Sequence, residues 1–179
     1  MLELDDTVLV IIDVQGKLAT LMYERELLFK NLSRLIEGAQ VLGIPILLTE
    51  QYPKGLGETA PELKALMPNV KPIEKMSFSC MGEEKFVEAL DKTERKQVLV
   101  AGIETHVCVY QTVSDMLAKG FEVHCVADAI SSRTKENREI GLSRMKEDGA
   151  ILTSTEMCLF ELLKVAGTST FKTISALVK

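Results

Sequence analysis

The chain has 179 residues, 46% hydrophobic and 26% charged, the composition of one globular domain able to bury a sizeable core. Its net charge of −5 is spread along the sequence with no basic block, which speaks against a nucleic-acid partner. The acidic start MLELDD lacks the basic region of a signal peptide, and the run TVLVII is far short of the roughly 20 apolar residues a membrane helix needs, so neither secretion nor membrane insertion is expected. Cysteines at 80, 108, 125 and 158 form no CxxC pair, which predicts reduced thiols in a cytoplasm rather than a disulfide framework or a thiolate metal site.

Short β-branched runs alternate with longer amphipathic stretches. TVLVIID (7–13) is continuously apolar up to its last residue, as expected of a strand buried on both faces. Leu27, Leu28, Leu32, Leu35, Ile36, Ala39 and Leu42 then recur at helical spacing, and Gly43 marks the end of that helix. IPILLTE (44–50) reads as a second strand, and the Pro- and Gly-bearing QYPKGLGETAPEL (51–63) as a loop. A third strand falls within 70–79, followed by a helix over 82–92, a strand over 96–102, and a helix over 106–119 with Gly120 beyond it. A strand over 122–129, a helix over 134–149, a strand over 150–156 and a helix around 156–166 complete the pattern. This alternation predicts a single α/β domain over 1–179, with a mostly parallel sheet and helices on both faces.

In such sheets ligands bind beyond the carboxyl ends of the strands, so polar residues there are the first candidates. Asp13 ends the first strand in VIIDVQ, where a carboxylate must be paired or act as a loop residue or helix cap. With Gln at position 15, the second acid of a phosphoryl-transfer aspartate pair is missing. Lys75 in IEKMSFS is either a snorkelling surface lysine or a buried cation able to hold a carboxylate and a thiolate together. Cys108 falls in the first turn of the 106–119 helix if Thr105 is its cap, where free N–H groups and the helix dipole lower a thiol pKa and favour a nucleophilic thiolate. Packing accounts for Cys80, Cys125 and Cys158. His106 and His124 are the only histidines; one is too near Cys108 in sequence to face it, and the other lies inside a strand, so neither suits a Cys–His pair. No His/Asp cluster at ligand spacing predicts a metal site, and Gly55 and Gly57 match no phosphate-binding fingerprint.

Asp13, Lys75 and Cys108, in the contexts VLVIIDVQ, EKMSFS and VLVAGIETHVCVYQT, resemble the catalytic triad of the isochorismatase-like cysteine hydrolases. With LLTEQYPKGLGET and GFEVHCVADAISSR the resemblance covers nearly the whole chain and is nearest to the isochorismatase-domain-containing proteins of undefined substrate. It implies a three-layer α/β/α fold with a central six-stranded sheet and a homo-oligomer. It further implies that Asp13 takes the proton of Cys108, that Lys75 orients both, and that Cys108 forms a thioester with a small amide-like substrate. A cis peptide between Ile103 and Glu104 and an oxyanion hole of the Glu104 and Cys108 N–H groups follow from the same resemblance, with Gln51 and Tyr52 as candidate substrate contacts. The metal cluster of the family's nicotinamidases has no counterpart, since the loop after the second strand holds no histidine, and no cofactor is expected. An isochorismatase-type ether hydrolase, or a binding protein that keeps the fold without turnover, are the alternatives.

Overall fold

The computed structural model describes residues 1–179. Its centre is a sheet of six strands, β1 (Thr7–Ile12), β2 (Ile46–Gln51), β3 (Ile73–Lys75), β4 (Gln97–Ile103), β5 (Glu122–Ser131) and β6 (Ile151–Thr153). All neighbouring strands are parallel, in the order β3-β2-β1-β4-β5-β6. Parallel strands need crossovers, and here helices lie on both faces and bury them. The residues of β1 show the consequence: Leu9 and Ile11 enter one core, while Val8, Val10 and Ile12 enter the other. This two-sided burial is why the strand reads as an unbroken apolar run.

Three helices form one outer layer: α2 (Arg25–Val41), α8 (Thr155–Leu163) and α9 (Ser169–Val178), which pack on the Leu9 face through Leu32, Leu35, Ile36, Leu159, Leu162 and Ile174. The opposite layer is α5 (Glu84–Asp91), α6 (Tyr110–Ala118) and α7 (Lys135–Glu147), seated through Phe86, Leu90, Val113, Met116 and Met145. Hydroxyl caps start several of them: Thr134, Ser154 and Thr168 accept from Asn137, Met157 and Phe171 N–H groups at the starts of α7, α8 and α9. None of these helices is long and apolar enough to cross a membrane.

The structure departs from the sequence expectation in identifiable places. The segment 51–63, expected as a loop, contains α3 (Pro53–Leu56) and the start of α4 (Pro61–Leu66), each opened by a proline at a position where the missing N–H costs nothing. A short α1 (Gly16–Thr20) follows β1 directly. The expected strand within 70–79 shrinks to the three residues of β3, an edge strand. The sheet is entirely parallel rather than mostly so, and α9 lies beyond the last expected helix.

Candidate active site

Between β1 and β4 the strand order reverses, and a crevice opens at the carboxyl ends of the two strands. Gly102 brings them together: its φ is +120°, and a Cβ there would stand 2.2 Å from the Ile12 carbonyl oxygen. No other residue fits so close a backbone approach. Immediately beyond, Asp13 adopts φ +52°, a left-handed conformation Asp tolerates better than most side chains, and turns the chain away from the sheet. The Ile103–Glu104 peptide bond is cis, and Thr105–Val109 forms a π-helical turn leading into α6.

The structure brings Asp13, Lys75 and Cys108 to this one end of the sheet. Lys75 Nζ lies 2.7 Å from Asp13 Oδ2, and both side chains are buried. Nζ also donates to Gln51 Oε1 at 2.7 Å, to the Phe78 carbonyl at 2.9 Å and to the Ser77 carbonyl at 3.2 Å. Oδ2 therefore has the ammonium's charge directly beside it. The other oxygen, Oδ1, accepts from the Thr49 hydroxyl at 2.8 Å. Lys75 is thus a buried cation and not a snorkelling one.

Cys108 is 8% exposed and lines a cleft of about 400 Å³, counting the open space at its mouth. Asp13, Gln51 and Glu104 share that lining with the apolar side chains of Leu18, Leu56, Phe78, Ile103 and Val107. Here the expectation of a dipole-lowered thiol fails. Thr105 is not the cap but the first residue of the π turn, and the thiol is pushed up to about 12. Desolvation is the main cause; the neighbouring Asp13 carboxylate adds to it, and Lys75 opposes them. Cys108 rests as a neutral thiol beside a carboxylate.

The sequence reading missed the residues that hold this group in place. Cys80, assigned to packing, lies within the same electrostatic field: burial and the Asp13 charge push its thiol up to about 11. Thr112 joins the two cysteines, accepting from the Cys80 N–H at 2.9 Å and donating to the Cys108 carbonyl at 2.7 Å. Gln15 ties the turn after β1 to β2, accepting from Gln51 N and donating to Gln51 O. Threonines and glutamines carry no chemical signature in a sequence, so only the strand register reveals these roles.

Of the two candidate substrate contacts, Gln51 reaches the cleft, but its amide is turned to Lys75 and to the Met76 carbonyl. Tyr52 lies outside it, in a neighbouring polar hollow with Lys54, Glu74, Glu83 and Lys85. Glu104 Oε2 accepts from the backbone N–H and the Nε of Arg133, which fastens the start of the π turn to the end of β5. His106 Nδ1 lies 3.0 Å from Ser132 Oγ, and His124 pairs with Glu122 at the far end of β5. No three His, Cys, Asp or Glu side chains converge as a metal-ligand group.

The arrangement can be set beside known proteins. The isochorismatase domain profile matches residues 7–157. The secreted isochorismatase effector Isc1 of Phytophthora sojae is 40% identical over 179 residues, covering 97% of this chain and 84% of that protein. Among solved structures, MAR1 ribonuclease of Caenorhabditis elegans has a TM-score of 0.92 at 36% identity, covering 99% of this chain and 91% of that one. YcaC of Escherichia coli, described as an octameric hydrolase of unknown specificity, has a TM-score of 0.92 at 27% identity, covering 98% and 89%. Profile, relatives and fold agree over nearly the full length, and the chain belongs to the isochorismatase-domain family.

Proposed function

We propose that this protein is a metal-independent cysteine hydrolase of small amide-like substrates, with Cys108 as nucleophile, Asp13 as proton acceptor and Lys75 as the group that orients and stabilises both. The observation that carries the reading is the buried Asp13–Lys75 ion pair, 2.7 Å apart, whose carboxylate lines the same cleft as the Cys108 thiol. A buried carboxylate oxygen of that kind is poised to receive a proton, and the thiol of Cys108 is the neighbouring acid.

In the first step the Cys108 S–H proton passes to Asp13 Oδ2 as Sγ attacks the carbonyl carbon. The developing oxyanion is met by the backbone N–H groups of Glu104 and Cys108. Asp13 returns the proton to the departing nitrogen, the C–N bond breaks, and a thioester remains on Cys108. Water then attacks the thioester, giving its proton to Asp13, and the thiolate recovers it as the acid leaves. Lys75, with its protons fixed by Gln51, Ser77 and Phe78, keeps Asp13 in place through the cycle.

We further propose that the protein works as a homo-oligomer in a reducing, cytoplasmic compartment. The exposed side chains of Tyr52, Leu56, Met76 and Phe78 around the cleft support the first point, as does the octamer described for the E. coli neighbour. The four unpaired cysteines support the second, while the P. sojae relative is described as secreted.

Incubation with a panel of small amides, acid quench and mass analysis of the Cys108 peptide tests the hydrolase. An acyl adduct on Cys108 is expected, with turnover falling at least about 100-fold in Cys108→Ala. A compound retained unchanged, equally by both forms, would instead identify a binding protein. RNA is included because the nematode neighbour is described as a ribonuclease; RNA cleavage that survives Cys108→Ala would reject the reading.

A further inference from the structure

The charge of the cleft wall carries one step more. Two carboxylates, Asp13 and Glu104, line it, and no lysine or arginine does. The nearest cation, Lys75, is buried behind Asp13 with its ammonium protons bound inside the protein. The guanidinium of Arg133 is folded onto Glu104 at 3.0 Å, in a side chain that is 56% exposed. The remaining wall facing Cys108 is Leu18, Leu56, Phe78, Ile103 and Val107. Both carboxylates and both cations are already paired with one another, so an acyl group bearing a carboxylate would lose its hydration there and find no free side-chain cation to pair with.

We propose, resting on the hydrolase reading, that the acyl group taken by this cleft is uncharged and apolar, as in a short aliphatic amide, and that acyl groups carrying a carboxylate are excluded. The polar contact it makes is at the reacting carbonyl, through backbone N–H groups, while its chain lies against Leu56, Phe78 and Val107.

The test separates this from the hydrolase reading by using a matched pair of probes that need no turnover. Iodoacetamide and iodoacetate differ in one charge and alkylate the same thiolate, so their rate ratio at Cys108 reports the cleft and not the thiol's acidity. Corrected by the ratio for N-acetylcysteine at the same pH, the protein is expected to favour iodoacetamide by about tenfold or more, since desolvating a carboxylate that finds no partner is costly. Leu56→Lys, at a position 37% exposed, places a cation at the wall and is expected to move the ratio toward iodoacetate by about tenfold. A corrected ratio of one or below, or a folded protein whose Cys108 neither reagent reaches, overturns the proposal. Turnover is then compared for butyramide and succinamate, which share a four-carbon acyl chain. Hydrolysis of butyramide alone supports both readings, and preferential hydrolysis of succinamate overturns this one. The alkylation preference without any hydrolysis supports the charge selection and rejects the hydrolase.

Discussion

Asp13 helps to hold Cys108 as a neutral thiol. The carboxylate charge is the second cause, after burial, of a thiol pushed up to about 12, and Lys75 works against it. Replacing Asp13 by Asn removes that charge and leaves the cation, so the thiol's pKa falls. Alkylation of Cys108 by iodoacetamide at pH 8 should then be faster, about tenfold for each unit of the fall. On the proposed mechanism turnover should drop by about 100-fold or more, because its proton acceptor would be gone. Labelling that is slower or unchanged would mean that Asp13 does not control the thiol. That Asp13, Lys75 and Cys108 come together at one end of the sheet was legible chiefly through the family resemblance, since each alone reads equally well as a loop, surface or packing residue. Their state was not legible. Whether Cys108 is a thiolate or a thiol depends on what surrounds it in three dimensions, and the helix-start argument pointed the wrong way.

At the level of elements, Gly102 sets the distance between the two strands that carry Asp13 and Cys108. Two penalties act on Gly102→Ala: a side chain at φ +120° and a Cβ 2.2 Å from the Ile12 oxygen. Gly120 also has a left-handed φ, +83°, but open space around its missing Cβ. Gly120→Ala is therefore expected to cost about 1–3 kcal/mol in denaturant unfolding, from backbone strain alone. Gly102→Ala should cost more and should also slow Cys108 alkylation or turnover; equal losses would show that the close approach is relieved elsewhere. The long elements were readable from periodicity, since β1 and β4 are buried throughout and α2 carries a regular apolar stripe. The helices α3 and α4 were not, because a proline marks both a turn and a helix start, and their apolar contacts are few. The π turn was equally hidden. Its extra residue per turn is set by the joint with β4, not by any local preference of THVCV.

Across the whole molecule all four cysteines are buried, and all have raised thiol pKa values: about 11 for Cys80 and about 12 for Cys108, Cys125 and Cys158, against an ordinary 9.0. A raised value means the folded chain keeps a proton that the unfolded chain gives up. The stability this represents is complete below about pH 9 and is lost as pH climbs from there toward 11 and 12. Each thiol lowers the unfolding free energy by about 1.4 kcal/mol per pH unit in that window. Thermal unfolding between pH 9 and 10.5 under reductant should show the decline, and Cys125→Ala with Cys158→Ala should remove about half of the part due to thiols. Parallel declines in the two proteins would contradict it. At this scale the parallel α/β/α class followed from alternation alone, while the strand order and the crevice it creates required the folded chain.

The central position of β1 also governs the order in which the protein can be made. Thr7 to Ile12 pair on one side with β2, which follows soon after, and on the other with Gln97 to Gly102, which the ribosome delivers far later. Until then one edge of the most apolar strand has no partner, and an open edge of that kind invites pairing with another nascent chain. The crevice is finished later still, when Cys108 leaves the exit tunnel, so a chain halted before that residue would hold Asp13 and Lys75 without the thiol that completes the cleft.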